Sequence, residues 1–262
     1  MDLNLKGRVA FITGANRGIG AGIAKAFAEE GIHLGLFARN VRQCQEVADQ
    51  IAASAKVRIS VQHIDFQRPD TLPPAVSRAV ENLGGVDILV NCAGGAKRGH
   101  FYDVSDEDWE TCFSVKPLGL VRMTRAALPY LDKSDQARII NLAGTRGREP
   151  NAYSAVAGPI NMGTLSLTKL MANDLGPRGI TVNAINPGST KTRRWTNLIE
   201  VFAKEKNVSL QEAEKVLLEE VPIGRVVEIQ DIADLAVFLA SARAGMISGA
   251  AINLDGGRSR SI

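Results

Sequence analysis

The run Thr13-Gly14-Ala15-Asn16-Arg17-Gly18-Ile19-Gly20 constrains this chain more than any other stretch. An apolar segment, Val9-Ala10-Phe11-Ile12, enters it, and a helical pattern over 19–30 leaves it. The order is strand, glycine turn, helix. Glycines permit the tight turn and let backbone N–H groups approach phosphates closely. The start of the helix adds the positive end of its dipole. Three glycines alone would be no more than a turn. With the strand before and the helix after, the stretch reads as a site for a dinucleotide pyrophosphate. Gly14, Asn16, Arg17, Gly18, Ile19 and Gly20 surround it.

The same alternation continues downstream. A short buried-type strand, Leu34-Gly35-Leu36-Phe37, ends at Ala38-Arg39-Asn40. A helix over 41–53 and a strand over 57–64 follow, then a helix over 73–83 and the strand Ile88–Asn91. After a loop over 94–103, Asp106 is the expected N-cap of one long helix running to Tyr130. The strand Arg138–Leu142, a loop, a helix ending at Leu175 and a strand over 181–185 come next. Pro159 falls inside that helix and should disturb its first turns or mark its start. Two short polar helices are expected over 191–221, before the last helix, Ile229–Ala240, and the last strand, Ala251–Leu254. Such alternation implies a parallel sheet covered on both faces, an α/β doubly wound fold. With 262 residues, 45% of them hydrophobic, one domain has ample core, and no linker or internal repeat divides it.

Composition narrows the functional classes. The net charge of +3 is small, and no Lys/Arg run suggests a nucleic-acid partner. Cys44, Cys92 and Cys112 have neither metal-ligand nor redox spacing, so no metal is expected and reduced thiols fit a cytoplasmic protein. No signal peptide is visible before the first strand. No apolar run approaches the roughly 18 residues of a membrane span.

In folds of this type a carboxylate after the second strand holds the ribose hydroxyl of NAD, whereas a basic residue there suits the 2′-phosphate of NADP. Ala38 leaves the acidic place empty, and Arg39 and Arg17 offer guanidinium groups suited to phosphate by charge and by their fork of donors. Asp65, at the end of the third strand, is a candidate acceptor from the adenine amino group or an ordinary turn residue, and Phe66 follows it. Ligands in such folds sit at the carboxyl ends of the strands, where Thr13, Arg39, Asp65, Asn91, Leu142 and Asn186 converge.

With these motifs in order, the chain resembles the short-chain dehydrogenase/reductase family over essentially its whole length. The resemblance rests on the Thr13–Gly20 stretch and on Asn91-Cys92-Ala93-Gly94, which stands for the family's NNAG. It rests equally on Arg178-Gly-Ile-Thr-Val-Asn183, on Asn186-Pro187-Gly188 followed by Thr192, and on Leu254-Asp255-Gly256-Gly257. It implies a Rossmann-like sheet of about seven strands and a small-molecule substrate. The assembly it implies is a homotetramer or homodimer. Asn91, Ala93, Gly94, Pro187, Gly188, Thr190 and Thr192 would join the cofactor site, with the nicotinamide at Pro187, Gly188 and Thr192. The 191–221 region corresponds to the family's mobile substrate loop.

The family's chemistry uses an Asn, a Ser, a Tyr and a Lys, the last two at i and i+4 of one helix. Counting back without gaps from Arg178, the Tyr place falls on Ala157 and the Lys place on Asn161. The Ser place falls on Gly144 and the Asn place on Lys116. A second register, starting a Tyr-Ser-Ala motif at Tyr153, puts the Lys place on Ala157 and adds four residues to the next helix. The Tyr-x-x-x-Lys pair is missing under either register.

Hydride transfer to a carbonyl builds charge on oxygen, and a group there must donate a proton or hydrogen bond. Ala157 and Gly144 offer no side-chain donor. Tyr153 and Lys116 are the candidate proton donors, each with a plain structural role as the alternative. Asn161 can still bond a ribose. His100 lies on the loop above the expected pocket. Arg146 and Arg148 either bind an anionic substrate or are solvated. Trp195, Leu198 and Phe202, at helical spacing, either line an apolar pocket or pack elsewhere. The resulting expectation is an NADP(H)-dependent oxidoreductase acting on a carbonyl, alcohol or activated double bond through a non-standard active site. A non-redox lyase or isomerase on the same scaffold, or an inactive NADP(H)-binding protein, stands as the alternative.

Overall fold

The computed structural model describes residues 2–261. Seven strands form one sheet: β1 (Val9–Thr13), β2 (His33–Ala38), β3 (Ile59–His63), β4 (Ile88–Asn91), β5 (Arg138–Leu142), β6 (Thr181–Pro187) and β7 (Ala251–Leu254). All pairings are parallel, in the order β3-β2-β1-β4-β5-β6-β7. The chain winds outward from β1 to β3, then crosses back to β4 and winds the other way. That reversal opens a crevice at the carboxyl ends of β1 and β4.

Strand residues alternate between two cores, as the pleat requires. Ala10, Ile12, Ile140 and Ile185 point to the face covered by α1 (Gly18–Glu29), α2 (Val41–Ala52) and α9 (Ile229–Ala240). Phe11, Leu89, Ile139 and Val182 point to the face covered by α3 (Leu72–Leu83), α5 (Pro117–Leu131) and α6 (Ala157–Leu175). The α4 (Asp106–Val115) helix precedes α5, and α7 (Arg193–Lys206) packs on α8 (Leu210–Leu218) in the expected insertion. No described helix is long and apolar enough to cross a membrane.

Several expected boundaries change. The single helix over 106–130 is two helices. Pro117 has no N–H to give to the carbonyl of Phe113, and its ring crowds that carbonyl, so the chain breaks at Lys116 and restarts with Pro117 in the first turn. The N-cap is Ser105 rather than Asp106: its hydroxyl accepts the N–H of Asp108 at 3.2 Å. The strand expected over 57–64 shortens to β3, because β2 begins at His33. With Leu34 opposite Ile59, Arg58 is the last position β2 reaches, its carbonyl accepting the Leu34 N–H at 2.9 Å, and Val57 lies beyond it. The strand over 181–185 lengthens to Pro187, where β7 supplies a partner, Leu254. Pro159 does mark a helix start, standing third in α6.

Candidate active site

Thr13 ends β1 and fastens the crevice floor. Its hydroxyl accepts the N–H groups of Cys92 and Ala93 at 3.0 and 3.1 Å. Gly14 follows with φ +68°, and a Cβ there would lie 2.9 Å from the Cα of Ala93. At Gly20 a Cβ would lie 2.4 Å from the carbonyl oxygen of Gly14, so helix and turn meet at backbone distance. The α1 helix opens without a side-chain cap and without an acidic residue in its first turn. Its first N–H groups therefore face the turn, ready for an anion.

Asn16 fastens the turn to α2, donating from Nδ2 to Oε1 of Gln43 at 2.7 Å. Arg17 and Arg39 are exposed, and among the described residues neither guanidinium has a hydrogen-bond or ion-pair partner. Asp65 is half-buried and accepts the N–H of Gln67 at 3.0 Å. The ring of Phe66 turns away from the crevice into the core against Gly119, and its carbonyl accepts from Arg122 at 2.7 Å. The Asn91 amide is likewise directed inside the fold, donating to Asn141 at 3.0 Å and Thr124 at 3.3 Å.

Beside the turn lies a cavity of about 570 Å³, built on the ends of β4, β5 and β6. Gly94, Lys116, Gly144, Tyr153, Ala157, Asn161, Pro187, Gly188, Thr190 and Thr192 all line it, as do Ile19 and Trp195, Leu198 and Phe202 of α7. The break before Pro117 turns Lys116 toward this space. Its stem lies along Gly94, and its ammonium donates to the carbonyl of Ala143 at 2.9 Å and to Oδ1 of Asn161 at 2.6 Å. An ammonium has three N–H donors, which leaves one. Burial pushes its pKa down to about 8, Arg194 adds to the fall, and the Cys92 thiol opposes it. Burial holds Cys92 itself up at about 12. Gly144 adjoins the same amide: a Cβ there would lie 3.0 Å from Nδ2 of Asn161. Asn186 accepts the Gly144 N–H at 2.9 Å and so fixes that loop.

Tyr153, 45% exposed, borders the cavity with its ring edge-on to His100 at 5.4 Å. His100 stacks on Tyr102 at 5.5 Å and stands outside the lining. The two loop arginines part company. Arg146 lines the cavity, while Arg148 donates to Asn253 at 3.4 Å. Sequence reasoning missed Cys92, Arg98 and Arg194 as lining residues. Cys92 lies inside a motif already quoted, and Arg194 is two residues past Thr192. Among the described residues no group of His, Cys, Asp or Glu is arranged to hold a metal.

Comparison with known proteins places this architecture. Residues 14–259 match the family model described as enoyl-(acyl carrier protein) reductase. The D-beta-hydroxybutyrate dehydrogenase of Cupriavidus necator is 31% identical over 97% of this chain and 98% of its own length. The NADPH-dependent reductase BacG of Bacillus subtilis is 30% identical over 97% and 99%. The crystal structure of L-sorbose reductase from Gluconobacter frateurii, complexed with NADPH and L-sorbose, superposes with a TM-score of 0.94 at 30% identity. That match covers 100% of both chains.

Proposed function

Since the chain belongs to the short-chain dehydrogenase/reductase family, we propose that it is an NADP(H)-dependent oxidoreductase with a rebuilt proton-donor site. It acts on a carbonyl, an alcohol or an activated double bond of a small molecule. The observation that carries this reading is the Lys116 ammonium, held at 2.6 Å from Asn161 in the cavity wall with one N–H free. Under the gapless register the family's Asn and Lys stand exchanged here, as Lys116 and Asn161, so a cation is kept at that spot from the opposite wall.

The residues present fit the cofactor. The turn packs against backbone at Gly14 and Gly20, while a Cβ at Gly18 would meet nothing nearer than 4.0 Å. The helix start is uncapped, and Arg17 and Arg39 have no partner among the described residues and can take phosphate. The NADPH named for BacG and for the sorbose reductase complex supports the same choice. Arg39 would hold the 2′-phosphate, and Arg17 with the start of α1 the pyrophosphate. Gly94, Pro187, Gly188, Thr190 and Thr192 would border the nicotinamide, which supplies or accepts a hydride when bound.

The chain's own residues supply the rest. Lys116 gives its free N–H, and then the proton, to the substrate oxygen. Ala143 and Asn161 aim that ammonium. Tyr153 offers a hydroxyl from the rim, and Trp195, Leu198 and Phe202 of the 191–221 substrate loop exclude water. Phe113, Leu118, Met162 and Leu170 are exposed apolar residues on α4, α5 and α6, which supports assembly into a homodimer or homotetramer. A cytoplasmic setting suits the free thiols.

The test is calorimetric titration with NADPH and NADH, followed by a panel of ketones, enones and imines under saturating NADPH. Tight NADPH binding with oxidation of NADPH by one class supports the reading. Binding without turnover of any class leaves an inactive nucleotide-binding protein. Turnover without change in nicotinamide absorbance points to a lyase or isomerase.

A further inference from the structure

The cavity holds more positive charge than the cofactor accounts for. Two of its lining cations are neutralised nearby: Lys97 by Asp108 at 3.5 Å, and Arg258 by Glu220. Arg98, Arg146 and Arg194 have no carboxylate partner among the described residues, and beside them and Lys116 the lining offers only Glu205 as a free acid. Arg17 and Arg39, the groups suited to the cofactor phosphates, do not line this space.

The three guanidinium groups come from separate walls. Arg98 lies on the loop after β4, Arg146 on the loop after β5, and Arg194 at the start of α7. Arg194 donates to the carbonyl of Ala96 at 2.9 Å, which ties α7 to the first of these loops. The Arg146 loop is pinned from the other side, where Glu149 accepts the backbone N–H groups of Arg260 and of Ser261, the latter at 2.8 Å. Arg98 is a charged neighbour of both Arg146 and Arg194. Glu149 and Glu220 act on Arg146 only from beyond ion-pair distance, and Glu220 is already bound to Arg258, so the cluster keeps an excess of positive charge. A guanidinium fork matches carboxylate or phosphate, and an anion there would offset that excess. Trp195, Leu198 and Phe202 give the facing wall an apolar character.

We propose that the substrate is a carbonyl compound bearing a carboxylate or phosphate group on an apolar body, its anionic group held by Arg98 and Arg146. The proposal rests on the oxidoreductase reading for the reaction, but the anion site itself stands apart from it. Malonate and inorganic phosphate are titrated separately into the NADPH-loaded protein and into the unloaded protein, in chloride-free buffer, with malonamide as the uncharged control. One of the anions binds in the millimolar range or tighter, and malonamide does not. Preference for malonate assigns a carboxylate, and preference for phosphate assigns a phosphate ester. Arg98→Gln and Arg146→Gln each weaken binding by about ten- to a hundredfold, Arg146→Lys retains part of it, and all three leave NADPH affinity unchanged. Among the described residues neither guanidinium makes a hydrogen bond or ion pair, so their loss leaves the fold intact. Absence of binding by either anion, or binding unmoved by both glutamine variants, overturns the proposal. Anion binding in a protein that fails to bind NADPH removes the oxidoreductase reading and leaves the anion site standing.

Discussion

Replacing Lys116 by Met separates the chemistry of this site from its stability. The ammonium makes two hydrogen bonds, to Ala143 and Asn161, and burial lowers its pKa from 10.5 to about 8. A fall of that size corresponds to about 3 kcal/mol against keeping the charge in the fold near neutral pH. The variant is relieved of that cost but leaves two acceptors without a donor, at about 1–3 kcal/mol each. The opposing effects largely offset each other, so the net change near neutral pH lies between a gain of about 1 and a loss of about 3 kcal/mol. Loss of a positioned acid costs far more in rate, about 10²–10⁴-fold in kcat for reduction.

The pH dependence has a definite sign. The folded pKa lies below the unfolded one, so between about 8 and 10.5 the unfolded chain holds the extra proton. Wild-type stability therefore rises across that window by up to about 3 kcal/mol relative to the Met variant. Reductive kcat falls over the same lower edge, as the donor loses its proton, and the Met variant shows no such fall. Urea denaturation of both proteins at about pH 7 and about pH 10, with kcat profiles in parallel, reads both effects. Parallel stability curves, or a Met variant retaining wild-type kcat, would refute the reasoning.

Arg39→Ala lowers NADPH affinity by about ten- to a hundredfold while NADH affinity hardly moves, as read by calorimetry. Thr13→Val strands the N–H groups of Cys92 and Ala93, and urea denaturation should show a loss of about 1–3 kcal/mol. Hydrogen bonds from the backbone of Ser261, and then of Arg260, hold the Glu149 carboxyl below the usual carboxylate range. The tie to the C-terminal segment is thus present at neutral pH and lost as pH falls through that lowered value. Carboxypeptidase should trim the segment faster in acid, and Glu149→Gln should show the fast rate at neutral pH.

The fold was legible because its signals are local. The turn at Gly14 to Gly20 sits between a strand and a helix a few residues away, and the strands announce themselves as short apolar runs. The break at Lys116 was equally local, since Pro117 marks it, but the apolar periodicity on both sides hid a change of direction. What no local pattern contains is the meeting of distant positions. Lys116 and Asn161 are 45 residues apart in the chain. Arg98, Arg146 and Arg194 join only because the strand order brings three loops to one rim. The inward turn of the Phe66 ring likewise depends on Gly119, a residue of α5 more than fifty positions away.

The 2.6 Å contact between Lys116 and Asn161 also shapes how this sequence can change over generations. A mutation of Asn161 to Lys alone would set two ammonium groups face to face inside a protein wall. A mutation of Lys116 to Asn alone would leave two amides and no cation. Only the double exchange keeps one charge in place, and each single step toward it either doubles that charge or removes it. Two distant codons are therefore locked together. A lineage that acquired this arrangement would hold to it, and its descendants should carry the pair or lose it as a unit.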